Sequence, residues 1–209
     1  MRLLLAGHDH PLVRKFLPVL TQALASLGSP LVRNMGTLGG NLVTASPAGD
    51  SLPPLVALDA VVELASREGT RRLPVSELLV GPGRTALGAG EIVRAVCIPP
   101  PPPGCLQHFE KVGRRAALAI AVASLAAVIA RDAAGRVNEA RVAVGSLAPT
   151  VLRCREGEAF LIGRRLDRET LRALGQGIRE VISPIDDIRA TAAYRRQVAG
   201  NLPLRLLGS

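Results

Sequence analysis

Aromatic residues are nearly missing from this chain: three Phe, one Tyr and no Trp in 209 residues. A core of the size that length allows must be filled by Leu, Val, Ala and Ile, and the stacking platforms used by single-strand nucleic-acid binders are lacking. Lysine is also scarce. Of 26 basic residues only Lys15 and Lys111 are lysines, and no dense basic run accompanies the net charge of +9. Scattered arginine describes a solvated surface, so nucleic acid is not an expected partner. Cys97, Cys105 and Cys154 are far apart and form no Cys-x-x-Cys. That spacing excludes a disulfide framework and a four-cysteine iron–sulfur cluster, and it fits a reducing cytoplasm. Long hydrophobic runs are absent as well. Leu3 to Ala6 is cut off at once by His8 and Asp9, too early for a signal peptide. The uncharged stretch between Arg115 and Arg131 is Ala-rich and shorter than the ~20 residues of a membrane span. It is expected to be a buried helix.

Catalytic groups are equally sparse. Ser46 and Ser124 have no His partner in view, and Glu63, Glu77 and Glu91 show no pairing pattern. His8 and His10 stand two apart without a third ligand, which makes them surface or capping residues rather than a metal site. What the chain does contain is Arg33-Asn34-Met35-Gly36-Thr37-Leu38-Gly39-Gly40-Asn41, followed by Ser46-Pro47-Ala48-Gly49-Asp50. Glycine lets backbone press against a ligand and present N–H groups to an anion. Asn41 and Asp50 add directional hydrogen bonds. The pattern reads as a phosphate or nucleotide cradle; the alternative is a hairpin or turn ahead of Leu52 to Leu64.

Residues 11–27 carry Leu12, Phe16, Leu20, Leu24 and Leu27 at helical intervals, with Asp9 as N-cap, Gly28 past the end and Pro18 as a kink or break. Val56 to Leu64 and Arg71 to Val75 read as strands around a turn at Glu68-Gly69, and Glu91 to Ile98 as a third. Pro99 to Pro103 form a stiff polyproline connector between two parts, residues 1–98 and 104–209. The second part is expected to hold a strand near His108 to Val112, the Ala-rich helix 116–130, a turn at Asp132 to Gly135 and a strand Arg136 to Val144. A helix capped by Asp167 runs to about Ile182, and a last helix, Ala190 to Leu207, is interrupted by Pro203. The class is α+β.

Four ordered stretches resemble one family. Val32 to Asn41 with Ala45 to Asp50 and Leu58-Asp59-Ala60, then Glu91-Ile92-Val93 leading to Ile98-Pro99, then Phe109-Glu110-Lys111-Val112-Gly113-Arg114-Arg115, and finally Asp187 to Arg196 are similar to the flavin-binding medium subunit of molybdenum hydroxylases, among them carbon monoxide and xanthine dehydrogenases. The resemblance implies an FAD-binding type-2 (PCMH-like) middle subdomain followed by a carbon monoxide dehydrogenase flavoprotein-like C-terminal α+β subdomain. It implies FAD as electron exit, a large molybdopterin subunit and a small [2Fe–2S] subunit as partners, and a cytoplasmic complex. Carried over, Thr37, Gly39 and Gly40 line the FAD diphosphate, Leu38 between them counts among the cofactor-binding residues, and Asn41 and Asp50 bind the adenosine side or brace the loop. Val43 and Val93 are apolar neighbours, and Lys111 is a contact near the flavin ring. Flavin supplies the redox chemistry itself, which agrees with the lack of a nucleophile–base pair. The family also carries a preceding Gly-rich segment of the Ala-Gly-Gly-Thr-Asp-Leu type that Met1 to His10 does not reproduce. That departure motivates an alternative: an assembly or interaction module that keeps the fold without flavin.

Overall fold

In the computed structural model, which describes residues 10–115 and 118–208, helices α1 (Pro11–Phe16) and α2 (Pro18–Ser26) are separate. Pro18 has no N–H to continue a helix and disfavours helical geometry at Leu17, whose φ of −128° marks the break. The break changes the expected stripe. Leu20 and Leu24 are fully buried, whereas Leu12 and Phe16 stay largely exposed, because α1 no longer shares the face of α2. His8 and Asp9 lie outside the described residues, and His10 stands at the helix start without a side-chain cap.

After α3 (Pro30–Met35) the glycine-rich segment forms not a loop but a helix, α4 (Leu38–Thr44). Thr37 caps it by accepting from Gly40 N at 3.0 Å, and Leu38 and Leu42, four apart, are its buried residues. The run expected as a strand from Val56 divides likewise. Residues Leu52–Ala57 are helix α5, entered through Pro53 and Pro54 in its first turn. Asp59, at a left-handed φ of 51°, then turns the chain into strand β1 (Val61–Ser66). All six α5 residues are buried, so no polar face existed to reveal a helical period.

Strand β2 (Gly69–Pro74) leads through the single-turn helix α6 (Val75–Leu78) into a short hairpin, β3 (Leu79–Gly81) and β4 (Arg84–Thr85). Strand β5 (Ile92–Cys97) completes an antiparallel sheet of order β2-β1-β5. Pro99 to Pro103 connect it to β6 (Leu106–Val112), with a turn closed by Cys105 N on Pro102 O at 3.2 Å.

The largest correction concerns the expected helix 116–130, of which Ala116 and Ala117 lie outside the described residues. Ala123–Arg131 form strand β7, the centre of an antiparallel sheet with β6, β8 (Val137–Gly145) and β9 (Leu152–Arg153) in the order β6-β7-β8-β9. Ala126 and Val128 on one face join the core built by α2, α4 and α5. Ala123, Leu125, Ala127 and Ile129 on the other face join the core under α8 (Arg168–Val181) and α9 (Ala192–Asn201). A strand buried on both faces loses the polar alternation by which strands are recognised, and its alanines mimic a helix. Between β9 and α8 lies α7 (Arg155–Leu161), and a 3-10 turn, Leu202–Gly208, follows α9. The Asp167 and Thr191 caps accept from Thr170 N and Tyr194 N. The expected final helix therefore begins two residues later, and by Pro203 it has given way to the 3-10 turn. At Gly175 any Cβ would overlap the backbone of Gly200, so α8 and α9 touch main chain to main chain.

Candidate functional site

Helix α4 borders two concavities. On its outer side a cleft of about 780 Å³ runs between the helix and β5, with Thr37, Leu38, Gly39, Gly40 and Val43 facing Val93 and its neighbours. Gly39 leaves α4 so close to β5 that an added Cβ would touch Val93 Cγ1 at 3.5 Å. Gly40 is exposed, and a Cβ there would meet the capping Thr37 Oγ1 at 3.0 Å. One wall of this cleft is thus bare backbone. At the cleft, Glu91 accepts from Arg71 (2.6 and 2.8 Å) and from Gly88 N (2.6 Å). Those bonds, Arg71 first, hold its carboxyl down to about 2.

A second, inner cavity of about 570 Å³ meets α4 at Asn41 and is otherwise lined by the Ser46–Asp50 turn and by loop segments of the C-terminal part around Ile120, Ser146 and Ile185. Asn41 lies here, its Oδ1 accepting from Ser51 Oγ at 2.6 Å, and so does Asp50. Asp50 Oδ2 accepts from Lys111 Nζ at 2.7 Å, and Lys111 gives its remaining protons to Ser26 O (2.8 Å) and Ala119 O (3.2 Å). Both side chains are nearly inaccessible. Burial pushes the Asp50 carboxyl above its ordinary value, while the hydrogen bond and charge of Lys111 act against that rise. Asp50 Oδ1 is buried without a partner.

Six of the residues singled out in the sequence (Thr37, Leu38, Gly39, Gly40, Val43 and Val93) meet around the outer cleft. Asn41 and Asp50 line the inner cavity and make hydrogen bonds within the protein. Lys111 borders a smaller polar niche of about 430 Å³ with Gln22, Ser26 and Arg33. Sequence reading did not single out Arg195. Its side chain is 4% exposed and donates to Val122 O at 2.6 Å, Ser146 O at 3.2 Å and Asp187 Oδ1 at 2.8 Å. The only signal was its place in Tyr194-Arg195-Arg196 within the fourth matching stretch. Among the described residues no cluster of His, Cys, Asp or Glu could hold a metal, and no helix is long and apolar enough to cross a membrane.

Comparison with known proteins gives this arrangement a class. Residues 5–101 match the family described as FAD binding domain in molybdopterin dehydrogenase, and residues 107–209 match the CO dehydrogenase flavoprotein C-terminal domain. The nicotine 6-hydroxylase medium subunit of Paenarthrobacter nicotinovorans is 34% identical over 199 residues, covering 95% of this chain and 69% of that protein. The nicotinate dehydrogenase FAD-subunit of Eubacterium barkeri is 33% identical, covering 90% of this chain and 65% of its own length. Among solved structures, carbon monoxide dehydrogenase from Hydrogenophaga pseudoflava superposes with a TM-score of 0.91 at 30% identity, over 97% of this chain and 70% of that one. The chain spans roughly two thirds of the length of these relatives. It belongs to the family of FAD-binding medium subunits of molybdenum hydroxylases, with an FAD-binding domain followed by a CO dehydrogenase flavoprotein C-terminal domain.

Proposed function

We propose that this chain holds FAD in the outer cleft and serves as the flavin-carrying electron-transfer subunit of a molybdenum hydroxylase. The observation that carries the reading is the cleft between α4 and β5, walled by bare glycine backbone within the domain matched to the FAD-binding family. The cleft fits such a group. Gly39 and Gly40 keep side chains out of the space a diphosphate needs, and Val43 and Val93 supply apolar walls. When bound, FAD supplies two-electron storage with one-electron exchange. The protein's own part is to bind, orient and tune. Thr37 fixes the start of α4, Asn41 ties α4 to Ser51, and the Lys111–Asp50 pair ties α2, the Ser46–Asp50 turn and β6 into one framework.

In this reading the polyproline segment 99–103 divides the FAD-binding part from the C-terminal part, and the complex is cytoplasmic. The partners are a large molybdopterin subunit and a small [2Fe–2S] subunit, and the chain does not turn over substrate alone. The chain supplies no four-cysteine set of its own, which agrees with electrons arriving from a partner's clusters. Co-purification with the partner subunits should give a complex with flavin absorbance that bleaches on adding substrate. A colourless chain in an otherwise active complex would return the reading to that of an assembly module.

A further inference from the structure

A groove of about 820 Å³ runs between α1 and the polyproline segment, and the proposed flavin site shares only Ile98 with it. One wall is Leu12, Phe16 and Leu17; the other is Ile98 with Pro99 to Pro103. Leu12 and Phe16 are 60% and 51% exposed, because the break at Pro18 turns α1 away from the face that α2 buries. Exposed apolar side chains gathered around one concavity mark a contact surface, whereas single ones are ordinary. The proline wall is also stiff. Each ring fixes φ, so the segment is ordered before anything binds and little entropy is lost on contact.

Two features narrow the occupant. The first is charge. Lys15 is the only charged residue in the lining, and no Asp or Glu borders the groove. The Lys15 ammonium lies 5.2 Å from the centroid of the Phe16 ring and makes no ion pair with any described residue. An apolar body that ends in an anion complements this arrangement. The second feature is the lack of donors. Pro18 and Pro99 to Pro103 have no N–H, and Gln107 Nε2 already donates to Phe16 O at 3.0 Å and Cys105 Sγ at 3.7 Å. A peptide strand laid along the prolines would leave its own carbonyls without partners. A hydrocarbon body has no such groups to satisfy.

We infer that this groove binds a small apolar monocarboxylate, with its hydrocarbon body between α1 and the prolines and its carboxylate at Lys15. The volume is that of a site for a drug-sized molecule. An acyl chain and a fused aryl ring both supply such a body, and the acid group is common to them. The site does not depend on where a flavin lies.

The test is calorimetric titration of the whole chain with decanoate, with naphthoate and with decyltrimethylammonium. At least one acid is expected to bind with Kd below about 1 mM, and the cation about tenfold more weakly or worse. Decanoate binding alone assigns the groove to acyl chains; naphthoate binding assigns it to aryl acids as well. Lys15→Glu, at an exposed position, should weaken the acid about tenfold or more and leave the fold intact. Leu31→Asp, which removes an exposed leucine of α3 outside the groove, should leave acid binding within about twofold. If neither acid binds, if the cation binds equally well, or if Lys15→Glu changes nothing, the inference is overturned. Equal losses in the two variants also overturn it, because the acid would then adsorb to apolar surface in general. Protection of Lys15 from acetylation in the co-purified complex, with neither acid bound, would make this face a subunit contact and overturn it too.

Discussion

The two parts of this molecule use glycine in opposite ways. In the C-terminal part, the missing side chain of Gly175 lets α8 touch the Gly200 backbone of α9, and the missing side chain of Gly200 makes room for the Arg179 guanidinium, so the space is filled by protein. In the N-terminal part, Gly39 and Gly40 remove side chains along an open cleft and leave room. The same absence of a Cβ builds a sealed core in one place and a ligand-sized wall in the other. Mutational cost should therefore fall on folding in the second part and on binding in the first.

The largest effect should come from the pair that joins the parts. Lys111→Met leaves the Asp50 carboxylate buried without its counter-charge, and stability should fall by roughly 3–5 kcal/mol. Denaturant unfolding checks this, and a loss below about 1 kcal/mol would show that the pair is not a structural bridge. Gly175→Ala comes next, at roughly 1–3 kcal/mol, because the new methyl must push α8 from the Gly200 backbone. An unchanged melting temperature would contradict the sealed-core account.

Gly40→Asp should reverse the pattern. The residue is exposed and crowds only Thr37 Oγ1, so the far-ultraviolet circular dichroism should match the wild type while flavin retention in the complex is lost. Retained flavin would move the cofactor away from α4. Thr37→Ala removes only the cap of α4, and should cost about 1 kcal/mol with a partial loss of flavin. The smallest effect concerns Glu91. Its folded pKa is depressed from 4.5 to about 2, so its contribution to stability is present above pH 4.5 and is lost as pH falls toward 2. Glu91→Gln should flatten stability against pH in that window and change little at neutral pH, as acid titration of both proteins would reveal.

Much of the C-terminal part was legible because its helices follow surface rules. Asp167 announces α8, and its buried residues Leu171, Leu174 and Ile178 recur at helical spacing. The strand β7 was not legible. Residues 123–130 meet apolar neighbours above and below, so neither polar alternation nor a charged face reports the period. Helix α5 hid for the same reason. At the candidate site, the Thr37 to Asn41 motif could be picked out, but its helical form could not. A Thr cap ahead of Gly-Gly resembles a turn until Leu38 and Leu42 find a core to enter.

The sequence by itself determined which residue types exist: an aliphatic core, almost no aromatics, no metal-ligand spacing, and ordered stretches that mark the family. Tertiary structure alone decided how these residues were distributed. It set Thr37 through Gly40 at the outer cleft and Asn41 with Asp50 at the inner cavity, and it brought Arg195 from nearly 150 positions downstream to the same cavity as Asp50. The physical reason is that partners so far apart in the chain meet only when packing closes the distance, and no local propensity encodes that meeting.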